Sequence, residues 1–193
     1  MRRYIVALTG ASGVIYGVTL VRALLAKDIE VHMVISQPAC LVLEQELGWN
    51  FGDSPELELR HYFPEGKLYL YNNGDIAAPL ASGSFITDGM VIVPCTMSTL
   101  SSVANGMSNN LIERAADVML KERRSLVIVP RETPLSAIHL RNMLSLADMG
   151  VAIVPAMPAF YHRPATIDEM VSFMVGKILD VMKIPNEEFK RYE

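Results

Sequence analysis

The chain has 193 residues, enough for one sizeable core without forcing a division, so a single domain over residues 1–193 is expected. A net charge of -4, with no Lys/Arg block longer than a pair, speaks against nucleic acid or an anionic membrane as the main partner, and two cysteines without CxxC or Cys/His spacing signal neither a disulfide framework nor a zinc site. The apolar share of 51% hints at surface hidden in an oligomer, while no apolar run reaches the ~18 residues that a membrane span needs.

Met1-Arg2-Arg3 followed by Tyr4–Leu8 imitates the start of a secretory signal, but Gly10, Ser12, Gly13 and Gly17 interrupt the apolar stretch, and a cytoplasmic location is expected. Tyr4–Leu8, Val31–Ile35, Met90–Pro94, Leu126–Val129 and Val151–Val154 are short apolar runs of the kind that form buried parallel strands. Helical spacing fills most of the intervals, over Val14–Ala26, Pro38–Leu47, Met97–Ala104, Asn110–Arg123 and Leu135–Asp148. The alternation lapses between Gly48 and Asn73, which reads as a surface excursion with an edge strand at Leu68–Tyr71. A last helix, Ile167–Met182, is apolar on nearly every side and needs cover on more than one face, from its own domain or from another subunit. Contacts between copies are expected over about residues 165–193. The pattern predicts a doubly wound parallel α/β sheet with helices on both faces, whose ligands bind beyond the carboxyl ends of the strands.

The residues at those strand ends carry the chemistry. Thr9-Gly10-Ala11-Ser12-Gly13 runs from the first strand straight into a helix, so backbone N–H groups and the Ser12 hydroxyl converge at a positive helix end. This makes an anion or cofactor loop or a tight turn capped by Ser12, and it matches neither GxGxxG nor GxxxxGK[ST]. Ser36 occupies an N-cap position before Pro38, beside the first loop, and Glu46 lies on the helix that follows. Thr96-Met97-Ser98-Thr99 brings hydroxyls and N–H groups to a further helix start without fixed charge. Two uncharged donor loops on one sheet edge suit a phosphate and a flat polar ring, as FMN presents.

Along the next helix Arg114, Asp117 and Lys121 share a face at i, i+3 and i+7, where Asp117 can pair with both cations, forming either a solvated ladder or an anion site with one charge to spare. Pro130-Arg131-Glu132-Thr133-Pro134 is a proline-bracketed loop at the fourth strand's end, where Arg131 suits a phosphate or flavin oxygen and Glu132 suits orienting Lys121 or accepting a proton, unless the two simply pair with each other. Pro158–Pro164 adds an aromatic wall with a donor at Tyr161, and His162 reads as a structural histidine.

Taken together, TGASG at 9–13, ASGS at 81–84, NNLIERAADVMLKERR at 109–124, PRETP at 130–134 and PAFYHRP at 158–164 resemble the UbiX-type flavin prenyltransferase family over nearly the whole chain. The resemblance implies a flavodoxin-like, metal-independent transferase, commonly dodecameric, that moves the dimethylallyl group of dimethylallyl monophosphate onto reduced FMN and hands prenylated FMN to a UbiD-type decarboxylase. By position it implies FMN contacts at Gly10, Ala11, Ser12, Ser36, Thr96, Met97, Ser98, Thr99 and Arg131. Prenyl-phosphate contacts are implied at Ser82, Arg114, Lys121, Glu132, Tyr161 and Lys177, some donated by a neighbouring subunit, and catalytic roles at Ser12, Glu46, Lys121 and Glu132. Lys177 stands where many members carry arginine and Tyr192 where many carry tryptophan. The competing readings are a direct flavin-dependent decarboxylase and a non-catalytic FMN carrier.

Overall fold

The structure, a computed structural model, describes residues 2–51 and 55–191. Its strands are β1 (Arg3–Leu8), β2 (Glu30–Ile35), β3 (Leu68–Asn72), β4 (Gly89–Cys95), β5 (Ser125–Pro130) and β6 (Ala152–Ile153). All five strand pairings are parallel, in the order β3-β2-β1-β4-β5-β6, so the chain winds outward in one direction from β1 and in the other from β4. Because both faces are covered, β1 and β4 are buried almost throughout, which explains runs such as YIVAL that lack a polar alternation. Leu8 aligns with Ile35 and Ala7 with Ile92, so the carboxyl ends of β1, β2 and β4 form one edge, and the switch point is the crevice between β1 and β4.

The helices are α1 (Val14–Ala26), α2 (Gln37–Leu47), α3 (Pro55–Tyr62), α4 (Met97–Ala104), α5 (Leu111–Lys121), α6 (Ala137–Asp148) and α7 (Ile167–Val181). Ser36, Thr96, Asn110, Ser136 and Thr166 cap five of them, each accepting a backbone N–H three residues on, so the boundaries follow from side chains that satisfy otherwise orphaned donors. One core packs α1, α2 and α7 on the face of Val6, Leu8 and Met33, and a second packs α4 and α5 on the face of Ile5, Ala7 and Ile92.

One expectation changes and one open alternative closes. The segment Gly48–Asn73 is not a surface excursion: Trp49, Phe51, Leu59 and Phe63 are buried in the first core, and Trp49 stacks on Tyr62 at 3.9 Å. Aromatic burial supplies there what helical periodicity does not announce. α7 finds its cover within the chain, with Val171, Val175, Ile178 and Leu179 packed into the core shared with α1. One apolar face left exposed is that of α6, where Leu146 alone of twelve residues is buried while Ile138, Leu140 and Leu144 are more than half exposed. Among the described residues no helix is long and apolar enough to cross a membrane.

Candidate active site

The switch-point crevice is closed at its base by Thr9. Its hydroxyl donates to the Pro94 carbonyl at 2.9 Å and accepts the Thr96 N–H at 2.8 Å, tying the loop after β1 to the loop after β4. Above it, Gly13 takes a left-handed conformation (φ 93°) to start α1, and no side chain of its own loop caps the helix. The alternative of a turn capped by Ser12 therefore falls away. Ser12 is exposed, and the cap comes from Glu46 of α2, whose carboxylate accepts the Gly13 N–H at 2.9 Å and the Val14 N–H at 3.3 Å. A carboxylate at a helix N-terminus gains about 0.3–1 kcal/mol from the helix dipole, enough to hold one rotamer of an exposed side chain. Glu46 thus stands over the Gly10–Gly13 loop rather than in solvent with Glu44.

With the Gly13 and Val14 N–H groups engaged, uncharged donors of α4 stand beside them at this edge. Thr96 accepts the Thr99 N–H at 3.2 Å, and its hydroxyl donates to that of Thr99 at 3.0 Å, leaving the first-turn N–H groups of Met97 and Ser98 facing outward. Ser36 caps α2 through the Ala39 N–H at 3.3 Å, one strand over. Gly10 lies so close to Pro38 that an added Cβ would collide with the proline ring. Arg131 completes the rim: its N–H donates to the Cys95 carbonyl at 3.3 Å, while its Nε is buried without a partner among the described residues. An unpaired buried guanidinium donor costs on the order of 1–3 kcal/mol, so this rim is built for an acceptor brought by a ligand. The donor loops, the tight Gly10 approach and the orphaned Arg131 Nε fit a flavin mononucleotide.

The remaining expected residues separate into two groups on opposite sides of the sheet. On the α5 side, Arg114 donates to the Ala81 carbonyl at 3.2 Å and pairs with Asp117 at 2.7 Å, while the Ser82 hydroxyl lies 2.7 Å from that of Ser84. Lys121 pairs with Glu122 at 2.6 Å instead of sharing Asp117. On the α7 side, Tyr161 lies edge-on to Phe173, with ring centroids 5.9 Å apart, and Lys177 is exposed one turn further along the helix. His162 stacks on Phe173 with centroids 5.2 Å apart and, although both ring nitrogens are buried, neither has a hydrogen-bond partner among the described residues. Glu132 accepts the N–H of its neighbour Thr133 at 2.9 Å, so within one chain it neither pairs with Arg131 nor reaches Lys121, which sits at the other end of β5. Tyr192 lies outside the described residues.

Sequence reasoning placed Thr9 in the loop but gave it no role of its own, because nothing local shows that its hydroxyl bridges to Pro94 and Thr96. It assigned Glu46 from the resemblance alone, since the capping geometry depends on a 33-residue separation between partners. Burial pushes the Cys95 thiol far above its ordinary value and raises Cys40 as well, which disfavours the thiolate at both. Among the described residues no group of three His, Cys, Asp or Glu side chains is gathered to hold a metal ion. A cavity of about 500 Å³, bordered by Arg123, Arg124 and Met149, opens at the amino edge of β5, away from this crevice.

The Flavoprotein family profile matches residues 1–182. A flavin prenyltransferase UbiX from Alkalihalophilus pseudofirmus is 51% identical over 189 residues, covering 97% of this chain and 94% of the relative. The chain belongs to the UbiX flavin prenyltransferase family. The UbiX of Pseudomonas aeruginosa is 45% identical over 196 residues, covering 98% of this chain and 93% of its own length. Among solved structures, a UbiX in complex with FMN and dimethylallyl pyrophosphate superposes with a TM-score of 0.90 at 42% identity, covering 100% of this chain and 97% of that one. A dodecameric FMN-dependent UbiX-like decarboxylase from Escherichia coli O157:H7 gives 0.89 at 42% identity, with 99% of each chain covered. Membership in the UbiX family accounts for the crevice at the β1/β4 switch point and for the sheet order around it.

Proposed function

We propose that the chain is a flavin prenyltransferase that joins the dimethylallyl group of dimethylallyl monophosphate to N5 and C6 of reduced FMN, releasing phosphate and making prenylated FMN for a UbiD-type decarboxylase. The observation that carries the reading is the rim itself, with Glu46 drawn over the Gly10–Gly13 loop beside an Arg131 Nε that is buried and unpaired. Reduced FMN supplies the electron pair that forms the new C–N bond at N5 and the ring carbon that closes on the prenyl group. Gly10, Ala11, Ser12, Ser36, Thr96–Thr99 and Arg131 hold the flavin. Breaking the allylic C–O bond leaves a phosphate anion, which Ser82, Arg114, Lys121, Tyr161 and Lys177 stabilise as donors, with Glu132 orienting its protonated partners. The N5 proton leaves with the phosphate, and Glu46, with Ser12 beside it, relays a proton to the prenyl double bond so that its tertiary carbon can bond C6, then takes the C6 proton that ring closure releases.

In this reading the phosphate donors come together only between copies, because Arg114 and Lys121 lie on the α5 side of the sheet and Tyr161 and Lys177 on the α7 side. The single domain, residues 1–193, assembles as a dodecamer like the E. coli relative, and we assign the outward Leu140 and Leu144 of α6, together with exposed positions of residues 165–193 such as Ile167, to the contacts. A cytoplasmic site of action follows from the need for reduced flavin.

The test is to mix the purified oligomer anaerobically with reduced FMN and dimethylallyl monophosphate, or with the diphosphate in a parallel arm, and to weigh the extracted flavin. Gain of one five-carbon prenyl unit establishes the transfer. Unchanged FMN with verified binding of both molecules returns the reading to a carrier, and release of CO₂ from an aromatic acid by this chain alone returns it to a decarboxylase.

A further inference from the structure

α7 carries Phe173, Gly176, Lys177 and Asp180 at i, i+3, i+4 and i+7, which places them along one side of the helix. The chain beyond α7 turns back along that side. Phe189 packs on Gly176 so closely that a Cβ there would collide with its ring, and it meets Phe173 edge-on with centroids 5.0 Å apart. Asn186 donates to the Gly176 carbonyl at 3.3 Å and to Asp180 Oδ1 at 2.9 Å. Arg191 then closes the strap: its two terminal nitrogens donate to the two carboxylate oxygens of Asp180 at 3.1 and 2.8 Å, and its guanidinium lies 5.2 Å from the Phe189 ring centroid.

Asp180 stands three residues after Lys177, a spacing at which an ion pair forms readily on a helix surface. Yet among the described residues Lys177 makes no ion pair, and Asp180 is held by Arg191 instead. The preference has a chemical basis, because a planar guanidinium matches both carboxylate oxygens at once whereas an ammonium meets them as a point charge. The Arg191 hydrogen bonds, with Asn186 and Lys177 adding to them, hold the Asp180 carboxyl below its ordinary range, so the anion persists at neutral pH and must be kept occupied.

We infer that Arg191 is a positioning residue for Lys177: by engaging both oxygens of Asp180 it keeps the Lys177 ammonium available to a prenyl phosphate and shields that phosphate from a carboxylate one helical turn away. The inference rests on the reading that Lys177 binds the prenyl phosphate. It also gives the lysine at this position a setting, since the guanidinium fork of the strap is spent on Asp180 while the point charge is left for the substrate.

The test is steady-state prenylation with reduced FMN saturating and dimethylallyl monophosphate varied, in the full-length oligomer, with the melting temperature of each variant recorded. Arg191→Gln raises KM for the prenyl phosphate about tenfold and changes kcat little, the pattern of lost ground-state binding. Adding Asp180→Asn to Arg191→Gln brings KM back toward the wild-type value, and in a Lys177→Ala background Arg191→Gln has no further effect on KM. Asp180→Asn alone, which leaves Arg191 on Phe189, holds KM at or below wild type and serves should Arg191→Gln fail to fold. A merely structural strap gives the opposite result, with the double variant worse than either single one and the Arg191 and Lys177 effects additive, and that overturns the inference. If Lys177→Ala raises KM while Arg191→Gln does not, the inference alone falls. If Lys177→Ala leaves KM unchanged while flavin prenylation proceeds, the phosphate role of Lys177 falls and the inference with it.

Discussion

Glu46 and Glu44 share one short helix and are both exposed, yet only Glu46 is turned to the N-terminus of α1, where the left-handed Gly13 leaves two N–H groups without a cap. In the proposed mechanism that placement makes a dual demand on the side chain, as helix cap and as proton acceptor, and Glu46→Gln separates the two. The amide oxygen still accepts the Gly13 N–H, so FMN retention and the melting temperature stay close to wild type. Proton transfer is lost, so the extracted flavin lacks the completed ring, by mass and by absorbance; normal product removes Glu46 from the mechanism. His32 shows a different kind of residue-level coupling. Its buried ring sits between the Tyr71 hydroxyl, 2.9 Å from Nδ1, and Glu30, 2.7 Å from Nε2, and burial pushes its pKa down despite that carboxylate. The hydrogen bond from Arg3, then that from His32, lowers the pKa of Glu30. The unfolded chain therefore takes up the His32 proton at about pH 6.5 while the folded chain does not, and stability is lost as pH falls below that value, by up to about 1.4 kcal/mol per pH unit. The Glu30 contribution is present above its unfolded pKa and disappears only at more acidic pH, as its lowered folded pKa is passed. Urea unfolding between pH 5 and 8 checks the sign: the wild type weakens toward pH 5 and His32→Gln flattens that part of the slope, whereas equal slopes remove His32 as its source.

Elements were legible wherever one local signal decided them. Parallel strands buried on both faces leave unbroken apolar runs, and Ser36, Thr96 and Asn110 mark helix starts, so β1, β2, β4, α2, α4 and α5 stand within a few residues of their expected places. α3 did not announce itself, because Pro55, Pro64 and Gly66 break the periodicity and Leu59 is bound to the core through contacts with distant residues. The partner of α7 was undecidable for a related reason: an all-round apolar helix states a need for cover without saying from where. The structure moves the question to α6. Leu140 and Leu144, four residues apart, lie on the same outward face and are 53% and 62% exposed, although burying such a side chain gains roughly 1.5–3 kcal/mol. Leu144→Glu places a charge on that face without touching the core around Leu146. The variant keeps its far-ultraviolet circular dichroism and elutes as smaller species under light-scattering detection. An unchanged oligomer mass places the contacts elsewhere.

At the scale of the whole molecule the carried-over site divides into parts that a single copy keeps apart. Gly10–Gly13, Glu46, Thr96 and Arg131 gather at the carboxyl edge, Lys121 ends α5 beside the amino end of β5, and Lys177 lies across the sheet on α7. The carboxyl edge was readable from sequence because parallel topology alone brings strand ends together. The proposed joining of Lys121 to that edge was not, because it would depend on how copies meet, which no local pattern encodes. If each site takes Glu46 from one copy and Lys121 from another, two inactive variants repair each other. Oligomers reassembled from equal amounts of Glu46→Gln and Lys121→Ala then contain an intact pair at about one site in four, by random mixing in a symmetric assembly. Prenylated FMN should form at about a quarter of the wild-type rate in the mixture and at near-background rates in either variant alone. If both residues served the same site from one chain, every site in the mixture would carry a defect and no activity would return, so the size of the recovery reports directly on how the site is divided.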